Sequence, residues 1–288
     1  MQKVFITGSA GFLGHHLTKK LTNLGYHTIG LDNLSNGEET YSSYATEFIK
    51  KDVGDITAEM LKDVDYVFHT AALPRVPYSI EHPLKTHDSN VNQTLSLLIA
   101  ARDAGVKKVI YSSSSSVYGI QEHFPTNEED RTIPVSPYAV QKLAAELYCE
   151  VFRTVYGLPT VSLRYFNIFG EEQRADNPYT GVLTKFRKMK KEGTPLTIFG
   201  DGKQRRDFTY VGDVVDANIL AAEKGLGIYN VGTGTNYSVN QIARAISEDV
   251  KLCPARIGDP PVSLADNRKL MRLGWEPKID VMKWLHFQ

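Results

Sequence analysis

Tyr138 and Lys142 stand four residues apart in SPYAVQK, residues 136–142. Ser136 and Pro137 read as a helix start, the serine as cap and the proline in the first turn. On the helix that follows, the tyrosine and lysine share one face, one turn apart. A phenol ordinarily keeps its proton up to pH ~10, and a nearby cation favours the phenolate. The pair is therefore a candidate base for neutral pH. The same spacing also describes an ordinary exposed i,i+4 pair, so the rest of the chain has to decide.

A second candidate site lies at the start of the chain. ITGSAGFLGHHL places Gly8, Gly11 and Gly14 at intervals of three, directly after an apolar run. Glycines there permit a tight turn and close backbone approach to a pyrophosphate. The helix N-terminus that follows offers N–H donors and a positive dipole end. Asp32 closes the next apolar run, where a carboxylate can hydrogen-bond an adenosine ribose and repel a 2′-phosphate. The pattern predicts a dinucleotide site for NAD rather than NADP. His15 and His16 follow the last glycine. Adjacent helix residues point about 100° apart, so these two are expected on the helix surface, with no metal between them.

These residues need elements to hold them. Strands are predicted over 3–8, 27–33, 47–53, 65–72, 107–115 and 160–170, and helices to about residue 24 and over 89–104 and 138–156. Alternating strands and helices imply an α/β fold, a doubly wound parallel sheet of Rossmann type with right-handed crossovers. After Gly170 the texture changes to loops rich in Gly, Pro and charge, with helices between them. The expected division is a cofactor domain over 1–170, joined by 207–225, and a smaller C-terminal α/β substrate domain over 171–288. TYVGDVVDANILAA (209–222) carries the strand–helix pattern that returns to the first part.

Composition narrows the class. The 288 residues carry 33 Lys+Arg against 33 Asp+Glu, so no global charge calls for nucleic acid or an acidic membrane surface. The basic run KFRKMKKEG reads as a solvated helix face. No stretch of eighteen apolar residues suggests a membrane span, and VFITG is too short for a signal peptide. Two cysteines, Cys149 and Cys253, argue against a disulfide scaffold or a cysteine metal site. A cytoplasmic enzyme without nucleic-acid or membrane partners is the expectation.

Taken together, Gly8-x-x-Gly11-x-x-Gly14, Asp32, SSSSSVYG (112–119) and Tyr138-x-x-x-Lys142 resemble, in order, the extended short-chain dehydrogenase/reductase family. LDNLSNG, VFHTAA, NVNQTL, LRYFNIFG, FGDGKQRRDF and YNVGTGTNYSV are similar to its NAD-dependent nucleotide-sugar 4-epimerases, the UDP-galactose and UDP-N-acetylglucosamine type. The resemblance covers nearly the whole chain. It implies a phosphate loop of Gly8, Gly11, Phe12, Leu13 and Gly14. Asp32, Asn33, Asn36 and Gly37 would hold the adenosine ribose and nearby groups, with Asp52 and Val53 at the adenine. Ala71 and Ala72 would line the cofactor channel, with Asn90 nearby and Tyr165 near the nicotinamide. Tyr138 would be the acid/base, Lys142 would bind the nicotinamide ribose and lower the tyrosine pKa, and Ser114 would be the catalytic hydroxyl.

For the substrate, the resemblance implies Asn167 and Val182 at the sugar-phosphate end, and Thr197 and Phe199 at the uracil. Arg206 and Arg256 would bind the diphosphate, and Asp259 a ribose. Ser263 takes a gating position, where a bulky tyrosine restricts family members to UDP-glucose and UDP-galactose. A serine leaves room for an N-acetyl group, so UDP-GlcNAc and UDP-GalNAc are expected substrates alongside the plain hexoses.

Sister reactions share the first oxidation and then diverge. The 4,6-dehydratases carry an Asp-Glu pair after the hydroxyl position; here Ser115 and Ser116 stand there. Uronate 4-epimerases carry Thr in the Asn167 slot, and decarboxylases Glu in the Ser116 slot. A non-catalytic dinucleotide sensor would commonly lack the tyrosine or lysine, and both are present. Glu171-Glu172 departs from the family's Pro-Arg. The helices at 91–104 and 138–156 resemble the pair that forms a four-helix dimer interface, so a homodimer is implied.

Overall fold

Val4, Phe5 and Ile6 are all fully buried, and the strand they form lies in the interior of a seven-stranded sheet. The computed structural model describes residues 1–175, 181–255 and 260–287. In chain order the strands are β1 (Lys3–Thr7), β2 (His27–Asp32), β3 (Glu47–Lys50), β4 (Tyr66–His69), β5 (Lys108–Ser114), β6 (Thr160–Tyr165), β7 (Asn167–Phe169), β8 (Leu196–Phe199), β9 (Arg205–Tyr210), β10 (Gly227–Val231), β11 (Asn236–Ser238) and β12 (Val250–Cys253). The large sheet runs β10-β6-β5-β4-β1-β2-β3, and every pairing in it is parallel.

Strand periodicity divides the core between two faces. Phe5, Val67 and Val109 point to the side covered by the helices Gln93–Asp103 and Pro137–Val155. Val4, Ile6, Phe68 and Ile110 point to the other, covered by Phe12–Asn23 and Val211–Lys224. Sheets covered on both faces read as continuous apolar runs, which is why the strands stand out in the sequence. Each fully buried Leu or Phe contributes roughly 1.5–3 kcal/mol.

From β1 the chain winds out through β2 and β3, then crosses to β4 on the other side. That reversal leaves a crevice at the carboxyl ends of β1 and β4, where open α/β sheets bind ligands. The remaining strands form a three-stranded sheet, β11-β9-β7, and a two-stranded one, β12-β8. Phe169, Phe186, Ile198, Phe208, Ile242 and Trp284 pack there in a separate core.

The structure departs from the predicted elements in two places. The strand predicted over 160–170 is two: Phe166 donates its N–H to Val231 O at 3.0 Å and buries its ring, so β6 stays in the large sheet while β7 pairs with β9. The helix predicted over 89–104 opens with a π-turn, Asp88–Asn92, before regular helix begins. The predicted return of 209–222 is a strand end and the helix Val211–Lys224, which leads to β10 at the edge of the large sheet. No helix among the described residues is long and apolar enough to cross a membrane.

Candidate active site

A single open cavity of about 1350 Å³ follows the carboxyl ends of the large sheet and continues against the second set of strands. One end is the glycine turn. Gly8 has φ +68°, and a Cβ there would lie 2.7 Å from the Ala71 backbone. A Cβ on Gly14 would lie 1.9 Å from Gly8 O, so the helix can approach the turn this closely only with glycine. The helix Phe12–Asn23 has no side-chain cap at Gly11, which leaves its first N–H groups to an outside acceptor. Gly8, Gly11, Phe12 and Leu13 line the cavity, and Gly14 lies behind them as a packing position.

Asp32 ends β2 on the same wall. Its Oδ2 accepts from Ala10 N at 3.0 Å and its Oδ1 from Leu34 N at 2.8 Å. Burial pushes its pKa up, and those two N–H groups oppose the shift. Asn33 donates to Asp52 Oδ2 at 3.1 Å, and Gly37 packs against Ala10. Asn33, Asn36, Gly37, Asp52, Val53, Ala71 and Ala72 all line the cavity. An uncapped helix end, a cradle that admits no Cβ and an acidic residue at the end of β2 fit a dinucleotide.

Ser114, Tyr138, Lys142 and Tyr165 meet further along the wall. Ser136 caps the helix Pro137–Val155, accepting from Ala139 N at 3.2 Å. The buried stripe of that helix runs Lys142, Ala145, Cys149, Phe152, so Lys142 faces the sheet and not solvent. Its Nζ donates to Ser112 O at 2.8 Å and lies 6.0 Å from the Tyr138 ring centre. Burial lowers its pKa to about 8. The phenol of Tyr138 is hydrogen-bonded to Ser114, and Ser116 Oγ donates to Ser114 Oγ at 2.9 Å.

Here the structure corrects an expectation. Burial pushes Tyr138 up to about 12; the Ser114 hydrogen bond and the charge of Arg75 pull it the other way, and Lys142 is not among the causes. Desolvation outweighs the nearby charges, so the phenol is protonated at neutral pH in the protein alone.

On the far side Asn167, Val182, Arg206 and Ser263 line the cavity. Asn167 Nδ2 donates to Asp207 O at 3.2 Å, and the Asp207 carboxylate gathers the loops behind, accepting from Thr233 N and Oγ1, Gly234 N and Ala265 N at 2.8–3.1 Å. Thr197 and Phe199, on β8, do not line it. Asn90 is buried behind the wall, where it clamps Leu73 N and O to Gln141. Arg256 and Asp259 lie outside the described residues.

Several contributors escaped the sequence reading. Arg75 lines the cavity with φ +128°, a conformation rare outside glycine and concentrated at functional sites; nothing in AALPRVPYSI signals it. Buried Arg164 on β6 pairs with buried Glu146, which also accepts from Ser113 Oγ at 2.8 Å. That pair locks the Tyr138 helix to the sheet. His15 is fully buried, not on the surface, and its ring lies 4.2 Å from that of His16. Glu171 accepts from Trp284 Nε1 at 2.6 Å and Tyr210 OH at 2.8 Å, so the departure from Pro-Arg is a buttress.

The model of the NAD dependent epimerase/dehydratase family matches residues 4–232, well over half of the chain. This chain belongs to that family. Among curated members it is 36% identical to the UDP-glucose 4-epimerase of Mycolicibacterium smegmatis, over 96% of this chain and 94% of that one. Among solved family structures, a UDP-N-acetylglucosamine 4-epimerase from Methanobrevibacter ruminantium, in complex with UDP-N-acetylmuramic acid, superposes with a TM-score of 0.94 at 39% identity. The two align over 99% of this chain and 96% of that one. The Thermus thermophilus UDP-glucose 4-epimerase in complex with NAD gives 0.93 at 34% identity, with the same coverage. The Rossmann-type fold read from the sequence is the fold of these relatives.

Proposed function

We propose that this chain is an NAD-dependent epimerase that inverts C4 of a UDP-hexose through a transient 4-keto sugar. The observation that carries this reading is the meeting of Ser114, Tyr138 and Lys142 in one cavity, between the glycine turn and the wall bearing Arg206 and Ser263. Gly8, Gly11, Phe12, Leu13, Asp32, Asn33, Asn36, Gly37, Asp52, Val53, Ala71, Ala72 and Tyr165 would hold the cofactor, with Lys142 on its nicotinamide ribose. When bound, NAD⁺ supplies the hydride acceptor and a positive charge that offsets the burial of the phenol. Tyr138 takes the proton from the sugar O4 and later returns it. Ser114 donates a hydrogen bond to that oxygen as charge develops. Inversion requires the keto sugar to turn in the site, so the nucleotide is gripped, by Asn167 and Arg206 in this reading, while the sugar is held loosely. Arginine suits the bidentate phosphate contact.

The same reading assigns residues 1–170 with 207–225 to the cofactor domain and the remainder after 170 to the nucleotide-sugar domain, and places the enzyme in the cytoplasm. It also takes the protein as a homodimer. Val140, Leu147, Val151 and Val155 form an exposed apolar stripe on the Tyr138 helix, and a second copy of that helix would cover it. Sedimentation equilibrium should give twice the chain mass; a monomer at micromolar concentration sinks the dimer.

The test is purified protein given UDP-galactose or, separately, UDP-GalNAc, followed at the anomeric proton by NMR without added reductant. The C4 epimer should appear from both. Retained NAD with no epimer from any UDP-hexose would overturn the reading in favour of a sensor. Ser263→Tyr should suppress the N-acetylated substrate about tenfold or more relative to the hexose, within the range steric discrimination supplies. Equal loss on both would remove Ser263 from the gate.

A further inference from the structure

Where the glycine turn meets the segment after β7, three ligand-bearing side chains converge that the proposed reaction does not use. We propose that His15, His16 and Glu172 form a binding site for a divalent transition-metal ion of the Zn²⁺ class, which clips the segment after β7 to the helix Phe12–Asn23.

The convergence of three ligand atoms, with the His15 ring oriented by a backbone carbonyl, carries the argument. Its Nδ1 lies 2.9 Å from Gly11 O, a carbonyl that can only accept, so Nδ1 bears the proton. Its Nε2 lies 3.0 Å from Glu172 Oε2. With Nδ1 protonated, a neutral ring presents a lone pair there, and the carboxylate presents another. Two acceptors at that distance repel unless a proton or a cation lies between them. A metal ion resolves the conflict and leaves the imidazole neutral, the form that ligates.

The geometry fits. Nitrogen and oxygen ligands bind Zn²⁺ at about 2.0–2.2 Å in a tetrahedral array, which sets them about 3.3 Å apart. His15 Nε2 and His16 Nε2 lie 3.0 Å and 3.8 Å from the same Glu172 oxygen. One ligand atom from each of the three residues falls within 4.8 Å of the others. The Nδ1–H bond from His15 to a backbone carbonyl is the outer contact that metal-bound imidazoles usually make. Tyr41 stacks on the ring at 3.9 Å and fixes its plane. His16 Nε2 now meets Glu171 O at 3.2 Å, so ligation requires its proton to move to Nδ1. Glu172 reaches the site with φ +60°, a sparsely populated backbone conformation of the kind that clusters at ligand sites. His15 is sealed in, while His16 and Glu172 remain partly exposed, which leaves an entry path. Two imidazoles and one carboxylate favour zinc or cobalt over calcium or magnesium.

The test uses protein without a histidine tag, stripped with chelator and dialysed against zinc sulfate, with metal content measured per chain. One equivalent of zinc is expected, and cobalt chloride in its place should give the visible absorption of a tetrahedral site. Glu172→Gln and His16→Asn should each weaken zinc binding about tenfold or more. Both residues are partly exposed, and thermal melts check that both variants fold. Failure of the wild type to retain zinc, or retention unchanged in both variants, overturns the site.

Discussion

Tyr138→Phe is expected to slow epimerisation of UDP-galactose about 10²–10⁴-fold, the range of a positioned acid/base, while NAD and UDP-sugar still bind. The substitution removes one oxygen from a half-buried ring and little else. Ser114 keeps a partner, because Ser116 Oγ donates to it at 2.9 Å, so no orphaned hydroxyl is left to destabilise the wall. The backbone of residue 138 stays anchored through its N–H to Ser79 Oγ at 3.0 Å. A loss therefore reports chemistry rather than collapse. Single-turnover rates with cofactor occupancy measured in parallel decide it, and a variant retaining a tenth or more of wild-type kcat would remove Tyr138 from the role.

Lys142→Met is expected to abolish most activity and at the same time to raise stability. The lysine is buried, and burial lowers its pKa from 10.5 to about 8. The folded state thus binds fewer protons than the unfolded state between about pH 8 and 10.5. Stability rises with pH wherever the unfolded state binds more protons. The cost of the buried charge is present in full below about pH 8, shrinks through that window and is gone above 10.5. Methionine fills similar volume with no charge, so at pH 7 the variant should gain on the order of 1–3 kcal/mol, less what is lost with the bond to Ser112 O. A melting temperature a few degrees above wild type at pH 7, converging towards it near pH 10, is the expected pair of results. A lower melting temperature at pH 7 would mean that the Ser112 bond outweighs the desolvation. Retained activity would separate Lys142 from the cofactor.

The trade explains why a lysine lies on the buried face of that helix in line with Ala145, Cys149 and Phe152, where Glu146 is the other buried charge. A core position carries a charge because the site needs it there, and the stability lost is the sign of function. The Glu146–Arg164 pair follows a different logic. Both charges are buried against each other and near Ser113, so removing one alone strands the other.

What the residues determined by themselves was local. Gly8, Gly11 and Gly14, the run before them and Asp32 announce a strand, a turn and a helix end, because φ freedom, apolar periodicity and a terminal carboxylate are properties of a few adjacent positions. The Ser136-Pro137 start and the Tyr138–Lys142 spacing were legible for the same reason. The electrostatics of that pair were not: spacing placed the lysine beside the phenol, but only packing shows its charge directed to Ser112 O and the phenol held at about 12 by burial. Tertiary structure alone decided the contacts between distant segments. Asp207 gathers Thr233, Gly234 and Ala265, β10 returns to the edge of the large sheet, and Asn90 leaves the cavity to brace Leu73. His15 is the sharpest case. The helical angle between neighbours predicted two divergent surface side chains, yet both rings lean towards Glu172, 157 residues along the chain from His15. No local pattern encodes that meeting, because the partner arrives only when the chain after β7 folds back over the first helix.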